Sequence, residues 1–525
     1  MAKAAKLTAS ETDGVQYRRA KTWQIALSQM NNGSAMIFYV LVGMMSYLQN
    51  AGYGIAVAVA GLILTGTRIL DGLIDPLLAL VIDKVNLTFG KLRFFLLIGW
   101  AVRSLAVLML FVWASDQGLG MGFFIVMYVI YIIGSSTNDI AGNMMGPVMT
   151  NDPRQRPVVG VWGTVYAYLV PTIFTLISTV VILPKHGNQF TVAMLSETAI
   201  VFVIASFVFQ LLAVIGISGA DKPENFEHLK ARDEESQVAF RDMWQFLRHN
   251  APFLRYVVAA VSDKLAQQVG AQAVVTTMLY GILLGNMQLG TIMSLISMLP
   301  SIVFAIFGAR YTGRHGAKAA TVVWTWVCIA LAAASILLLL VIDTRTILVS
   351  LPLMIAFFGL QLGLNGSKMC VTIAGGAMRA DIIDYELDRS GKYLPAVVNA
   401  TYNFIDQLIS SLGASITLGA VALIGYVTVM PQPTDEPNPA ILWVTIILLF
   451  VIPILGWVLT LLVMPGYRLD RQGMVEVQQR IATRKAEIAA QEALVGAPLT
   501  RDEIVAEIQH HENARRSVDD GTASE

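Results

Sequence analysis

Charge is what this chain of 525 residues has least of. Lys, Arg, Asp and Glu make up 14% of it, and 36 basic residues cancel 36 acidic ones. An ordinary soluble protein carries about 25%. With no net positive charge there is no footprint for nucleic acid. Cysteine is nearly absent: Cys328 and Cys370 lie in separate apolar stretches. That excludes a disulfide framework and cysteine metal spacing, and leaves both as small packing residues. The first 22 residues are polar and carry Arg18, Arg19 and Lys21. They lack the short apolar core and small-residue cleavage site of a secretory leader. The His-, Asp- and Glu-rich stretches, His510-His511-Glu512 among them, show no nucleophile or metal-ligand spacing. An enzyme is therefore the class least expected.

What the chain has instead is apolar length. Hydrophobic residues make up 55% of it and the mean hydropathy is +0.63. Runs long enough to cross a bilayer, about 20 residues each, occur near 23–49, 55–82, 93–115, 120–149, 158–184, 196–218, 252–284, 287–310, 319–342, 347–378, 396–429 and 440–464. Lys84, Lys91 and Arg93 follow the second run, and Arg154 and Arg156 the fourth. Arg310, Arg314 and Lys318 follow the eighth, and Arg379, Arg389 and Lys392 the tenth. The alternate loops hold little basic charge beyond Lys185 and Arg345. The positive-inside rule then puts both termini in the cytoplasm of a multi-pass protein of the cytoplasmic (inner) membrane. The chain divides into a segment 1–22, a bundle 23–218, a charged loop 219–251, a bundle 252–465 and a helical tail 466–525. The fold class predicted is an all-α integral membrane protein with twelve transmembrane helices in two six-helix halves. Asp83 to Arg93 and Arg310 to Lys318 are short, basic, glycine-bearing loops at equivalent places in the two halves, a faint internal repeat. In the tail, Asp470 and Thr500 read as helix N-caps, the latter in a Thr500-x-x-Glu503 capping box. Two solvated cytoplasmic helices are expected there, with a regulatory or partner-binding tail as the alternative.

Inside these apolar runs the charges fall in one layer. At about 1.5 Å of rise per residue, Asp71 lies twelve residues before Asp83 and Asp139 thirteen before Asp152. Lys264 lies twelve after Pro252, Lys368 eleven before Arg379, and Asp406 about ten into its run. All five stand near the bilayer midplane. A charge there costs about 2.5–3.5 kcal/mol on insertion scales, so it faces a partner, a cavity or an ion. Asp71 and Asp75 are four apart, on one helical face. Gln361, Asn365 and Lys368 form a polar stripe, and Asp406-Gln407 is a further polar spot; Gln268 follows Lys264 by one turn. Structural alternatives stand beside each. Asp71 pairs with Arg68 or Arg103 to lock helices; Asp75 serves the bend at Pro76; Asp263 and Lys264 form a local couple. Tyr128, Tyr131, Trp162, Tyr166 and Tyr168 are either sugar-stacking faces or packing and interface residues.

Three segments carry a family resemblance. They are Arg68-Ile-Leu-Asp-Gly-Leu-Ile-Asp-Pro76 with Asp83 and Gly90-Lys-Leu-Arg93; Asn138-Asp-Ile-Ala-Gly-Asn-Met-Met-Gly-Pro-Val-Met-Thr150 with Asp152 and Arg156; and Met378-Arg-Ala-Asp381-Ile-Ile-Asp384-Tyr385. With them the chain resembles the glycoside–pentoside–hexuronide:cation symporters, the melibiose-permease branch of the major facilitator superfamily. The resemblance implies two halves rocking about a midplane site. It also implies a coupling-cation site of Asp71, Asp75, Asp139 and Ser136, with Asp139 touching the sugar too. Arg68, Asp83, Arg93, Asp381 and Asp384 fall in structural or gating motifs. Where melibiose-type members carry a sugar-binding acid, a tryptophan, an arginine and a lysine, this chain has Ala35, Asn143, Thr164 and Gln407. The galactoside half of the site is therefore rewritten.

The function expected is symport of a sugar or glycoside with a cation by a protein working as a monomer, without a cofactor. The substrate side is assigned to Asp139, Asn143, Thr164, Lys264, Gln268, Gln361, Asn365, Lys368, Asp406 and Gln407. A proton is expected over sodium, because sodium-using relatives place an amide just before the second helix-2 acid and this chain has Ile74. An anionic solute such as a hexuronide or sulfonated sugar, a lipid or lysolipid, and a membrane sensor are the alternatives.

Overall fold

The computed structural model describes residues 19–85, 90–150, 155–222, 246–248, 250–390 and 395–495. These form helices and no strand. The first half comprises α1 (22–53, in pieces that break at Gln29 and Met44), α2 (Val57–Lys84), α3 (Lys91–Trp113), α4 (Gly120–Met149), α5 (156–185) and α6 (Val192–Ile217). The second comprises α7 (251–283, interrupted at 271–272), α8 (Met287–His315), α9 (Ala317–Val341), α10 (Leu351–Ser390), α11 (395–423) and α12 (Pro439–Gly466). A further helix, α13 (Arg471–Val495), follows. Seven of these are long and apolar enough to cross a membrane: α3, α4, α5, α6, α9, α11 and α12. Four π-helical turns, at 109–113, 177–182, 277–283 and 447–451, were not legible from periodicity.

The surface is turned inside out relative to a soluble protein. Ile204, Leu337, Val341, Leu455 and Leu462 are exposed, while Arg103, Asn138 and Gln210 are completely buried. A helix in lipid satisfies its own backbone and offers apolar side chains to the hydrocarbon, so polar groups turn inward. Helix starts follow side-chain chemistry. Asn250 accepts from the Phe253 N–H at 2.9 Å and Asn438 from the Ile441 N–H at 2.8 Å, each just ahead of a first-turn proline.

The faint repeat has a geometric counterpart. Gly90 (φ 114°) and Gly316 (φ 88°) stand at the starts of α3 and α9, where only glycine adopts that backbone freely. Each is held by the segment that follows the last helix of its half. Asp221 accepts from the Leu92 and Arg93 N–H groups at 3.1 and 2.9 Å and pairs with the Arg93 guanidinium at 3.2 Å. Arg471 donates to the Arg314 carbonyl. The backbone at Asp83 is helical; its side chain lies outside the described residues.

The halves meet at the end of the molecule remote from α13. Thr65 of α2 donates to the Ser411 carbonyl at 2.8 Å and lies 2.6 Å from the Ser415 hydroxyl of α11. Ser415 donates to the Gly61 carbonyl at 3.0 Å, and Thr179 of α5 meets Thr291 of α8 at 2.7 Å. Tyr47 reaches Thr277 and the Pro431 carbonyl, and Asn50 reaches the Thr428 carbonyl.

The tail corrects an expectation. Asp470 caps α13 as predicted, accepting from the Gly473 N–H at 2.9 Å. The helix is not simply solvated, however: Val477 and Ile481 are buried with Phe253, Met378, Ile382 and Val398. Arg480 pairs with Asp388 at 2.8 Å and Gln478 donates to Asp384 at 2.8 Å, which ties α13 to the long α10. The sequence hid this because a helix charged on most of its circumference needs only a narrow apolar stripe to dock. Thr500 and Glu503, and most of the central loop, lie outside the described residues. Val477→Asp, which puts a carboxylate into this apolar patch, is expected to destabilise the purified protein by roughly 2–4 kcal/mol. Arg480→Ala removes an exposed pair and should cost less than about 1 kcal/mol. Thermal unfolding in detergent separates the two.

Candidate cation and substrate site

Two helices build the acidic wall. On α2, Asp71 and Asp75 are one turn apart on the face turned toward α4. On α4, Ser136 and Asp139 are three apart and face back. The Ser136 hydroxyl donates to Asp71 Oδ1 at 2.7 Å. A cavity of about 260 Å³ lies between them, lined by Arg68, Asp71, Asp75, Ser135, Ser136, Asp139 and Asn143 and by Tyr39, Tyr128 and Tyr131. Tyr128 and Tyr131 are stacked, with ring centroids 5.7 Å apart. A second cavity of about 240 Å³ shares Tyr39, Val42, Arg68 and Tyr128 with the first. It takes in Thr175 and Thr179 of α5 and continues across the interface to Gln268, Gln272 and Thr291. Gln407 reaches over from the second half, its amide Nε2 3.5 Å from Asp71 Oδ2.

Asp71, Asp75 and Asp139 are close enough to act on one another by charge, with Arg68 set against Asp71 and Arg103 against Asp139. The sequence left open whether Asp71 meets Arg68 or Arg103; the fold divides the two arginines between the two acids. Asp75 Oδ1 is buried without a hydrogen-bond partner. Three carboxylates facing one cavity repel each other, and a cation or proton between them relieves the repulsion. The wall can therefore bind positive charge and, through Ser136 and Gln407, report its arrival to both halves.

The family model for MFS/sugar transport proteins matches residues 26–471. This chain belongs to that family. Among its relatives, the inner membrane symporter YicJ of Escherichia coli (strain K12) is 22% identical, over 86% of this chain and 93% of its own. The putative glycoside/cation symporter YagG of the same organism is 20% identical, over 84% and 91%. The symporter YjmB of Bacillus subtilis (strain 168) is 24% identical, over 71% and 77%. At the level of fold alone, the chain is similar to a bacterial homolog of the human lysosomal transporter Spinster (13% identity, 88% of this chain and 97% of that one, TM-score 0.55). It is similar also to a bacterial homologue of the human drug peptide transporters PepT1 and PepT2 (13% identity, 88% and 100%, TM-score 0.54). The chain is a multi-pass membrane transporter and not an enzyme.

In this MFS transporter the other residues singled out from sequence separate into groups. Gln268 and Asn143 line the cavities. Thr164 and Asn365 are exposed and line neither, and the Thr164 hydroxyl donates to its own helix at the Gly160 carbonyl, 2.9 Å away. Lys368, expected to contact substrate, has a different neighbourhood. Its ammonium is 5.8 Å from the Trp457 ring centroid and acts by charge on Asp263, which accepts from Trp457 Nε1 at 3.0 Å and from Gln267 Nε2 at 2.8 Å. Asp263 thus looks to α10 and α12 besides its neighbour Lys264. Gln361 Nε2 is buried without a partner, away from both cavities. Asp406 takes the Tyr402 hydroxyl at 3.4 Å and the charge of Lys264, and Arg379 stacks on Tyr402 at 3.8 Å. Depth alone could not separate these clusters, because residues at one height point in different directions around their helices. Tyr39 was missed; a polar aromatic side chain in the middle of an apolar run was the available signal. Lys368→Met, which strands the Asp263 carboxylate, is expected to destabilise the fold by on the order of 3 kcal/mol. Adding Asp263→Asn should recover part of that loss, with substrate affinity unchanged throughout. Chemical denaturation alongside a ligand-binding assay checks both halves of this.

Proposed function

We propose that this transporter is a secondary active symporter that carries a neutral sugar or glycoside together with one proton. The observation that carries the proposal is the wall of Asp71, Asp75 and Asp139 on a cavity that continues, past Arg68, into a chamber between the halves lined by hydroxyls, amides and apolar groups. Amides, hydroxyls and aromatic faces suit a polyhydroxylated solute. The lysines that favoured an anionic solute, Lys264 and Lys368, each have an acid within charge reach, Asp406 and Asp263. That supports the neutral substrate.

A proton is favoured over sodium on the donor set. A hard alkali cation needs several oxygens to replace its hydration shell, and the side chain before Asp75 is Ile74, packed against the apolar core. Against three acids stand two arginines, so one further positive charge completes the balance. The basic loops support a cytoplasmic assignment for the end that bears α13, in the inner membrane. On that assignment the contacts between halves seal the outer side, and the described conformation is the one open inward.

The test is uptake into vesicles under an imposed pH gradient or an imposed sodium gradient, with the membrane potential clamped. Uptake should follow the pH gradient; strong sodium-driven uptake without response to pH would overturn the proton assignment. In Asp71→Asn, accumulation should fall to simple equilibration while the protein stays inserted, as judged by surface labelling.

A further inference from the structure

Arg103 is completely buried on α3, and the proposed function uses only its charge. Its Nη2 donates to Ser34 Oγ at 2.8 Å and approaches Gln210 Oε1 at 3.5 Å, and the guanidinium lies 4.5 Å from the Phe38 ring centroid. Its Nε and Nη1 have no hydrogen-bond partner. A buried guanidinium with two idle donors is costly and needs an acceptor. The groups that act on it by charge are Asp139 and the Tyr131 phenol, both on α4; α1 and α6 face it with the neutral Ser34, Phe38 and Gln210. Its depth is set by packing. Gly99 and Gly134 let α3 and α4 touch backbone to backbone, and a Cβ on Gly134 would come within 2.5 Å of the Arg103 nitrogen.

We infer that Arg103 is the residue that decides which cation couples: its fixed charge, delivered from behind the wall, takes the place beside Asp139 that an alkali cation would otherwise fill. Asp139 lines the cavity and Arg103 does not; the close approach of α3 to α4 at Gly99 and Asn138 and at Arg103 and Gly134 brings the guanidinium's helix up behind the wall, within charge reach of Asp139. With that carboxylate compensated, Asp71 and Asp75 remain and Arg68 offsets one of them, so a single negative charge is left, which one proton satisfies without the several oxygen ligands an alkali cation needs. The inference rests on the proton reading above and adds its cause.

The experiment measures uptake in proteoliposomes driven by a sodium gradient, at clamped potential and equal pH, for wild type, Arg103→Gln, Arg103→Lys and Ile74→Asn. Arg103→Gln frees Asp139 and should gain sodium-driven uptake of about tenfold over wild type, the effect of one charge interaction of ordinary strength. Arg103→Lys keeps the charge and should stay blind to sodium. Ile74→Asn adds an oxygen donor but leaves Arg103 in place, so it too should stay blind. A folded Arg103→Gln protein that ignores sodium overturns the inference, and so does a sodium response in Ile74→Asn, which decides the matter if Arg103→Gln does not fold. Sodium-driven uptake by wild type would instead remove the proton reading itself.

Discussion

Moving a charge from water into hydrocarbon costs more than any single packing contact returns, so the ionisable side chains inside this bundle are matched locally. Asp71 has the Ser136 hydroxyl, the Gln407 amide and the charge of Arg68. Asp139 has Arg103; Asp263 has Trp457, Gln267 and Lys368; Asp406 has Tyr402 and Lys264. Asp75 stands out, with one oxygen buried and unpartnered beside two other acids. A compensated group stabilises one arrangement of helices, whereas an uncompensated one leaves the arrangement sensitive to whatever ion arrives. Among these acids the transporter keeps its imbalance at the cavity.

That imbalance lies where it can affect the contact between halves. α2 carries two of the acids and also supplies Thr65 and Gly61 to the seam with α11. Gln407 of α11 reaches Asp71 directly. Charge arriving at Asp71 therefore acts on the same pair of helices that closes one end of the molecule. A coupled transporter needs a cation with different affinity for two states, and a site shared between the acids and the seam provides a physical basis for one. That seam uses hydroxyls and carbonyls, which contribute little each and can be exchanged in a rocking motion. The opposite end is braced differently. Asp221 secures the start of α3 and Arg471 the end of α8, and α13 adds an apolar stripe and an ion pair along α10.

Much of this was legible in the sequence because a bilayer imposes two simple rules, length and the cost of charge. The helical class follows from the apolar runs. The acids of α2 and α4 follow from being charged where charge is expensive, and Ser136 from the family pattern. The four π turns and the breaks in α1 and α7 were not legible, since apolar composition is the same on either side of them. Nor was the docking of α13, whose buried face is a few residues wide.

The sequence by itself determined which residues lie within the membrane and at what depth, because hydropathy and helical rise depend on local composition alone. Only the tertiary structure decided which way each of those residues turns. It set Lys368 beside Trp457 and Asp263, left Thr164 and Asn365 outside both cavities, and brought Arg103 up behind Asp139. Depth is a property of one helix; direction depends on how α3 packs on α4 and α7 on α12, and those contacts join residues far apart in the chain.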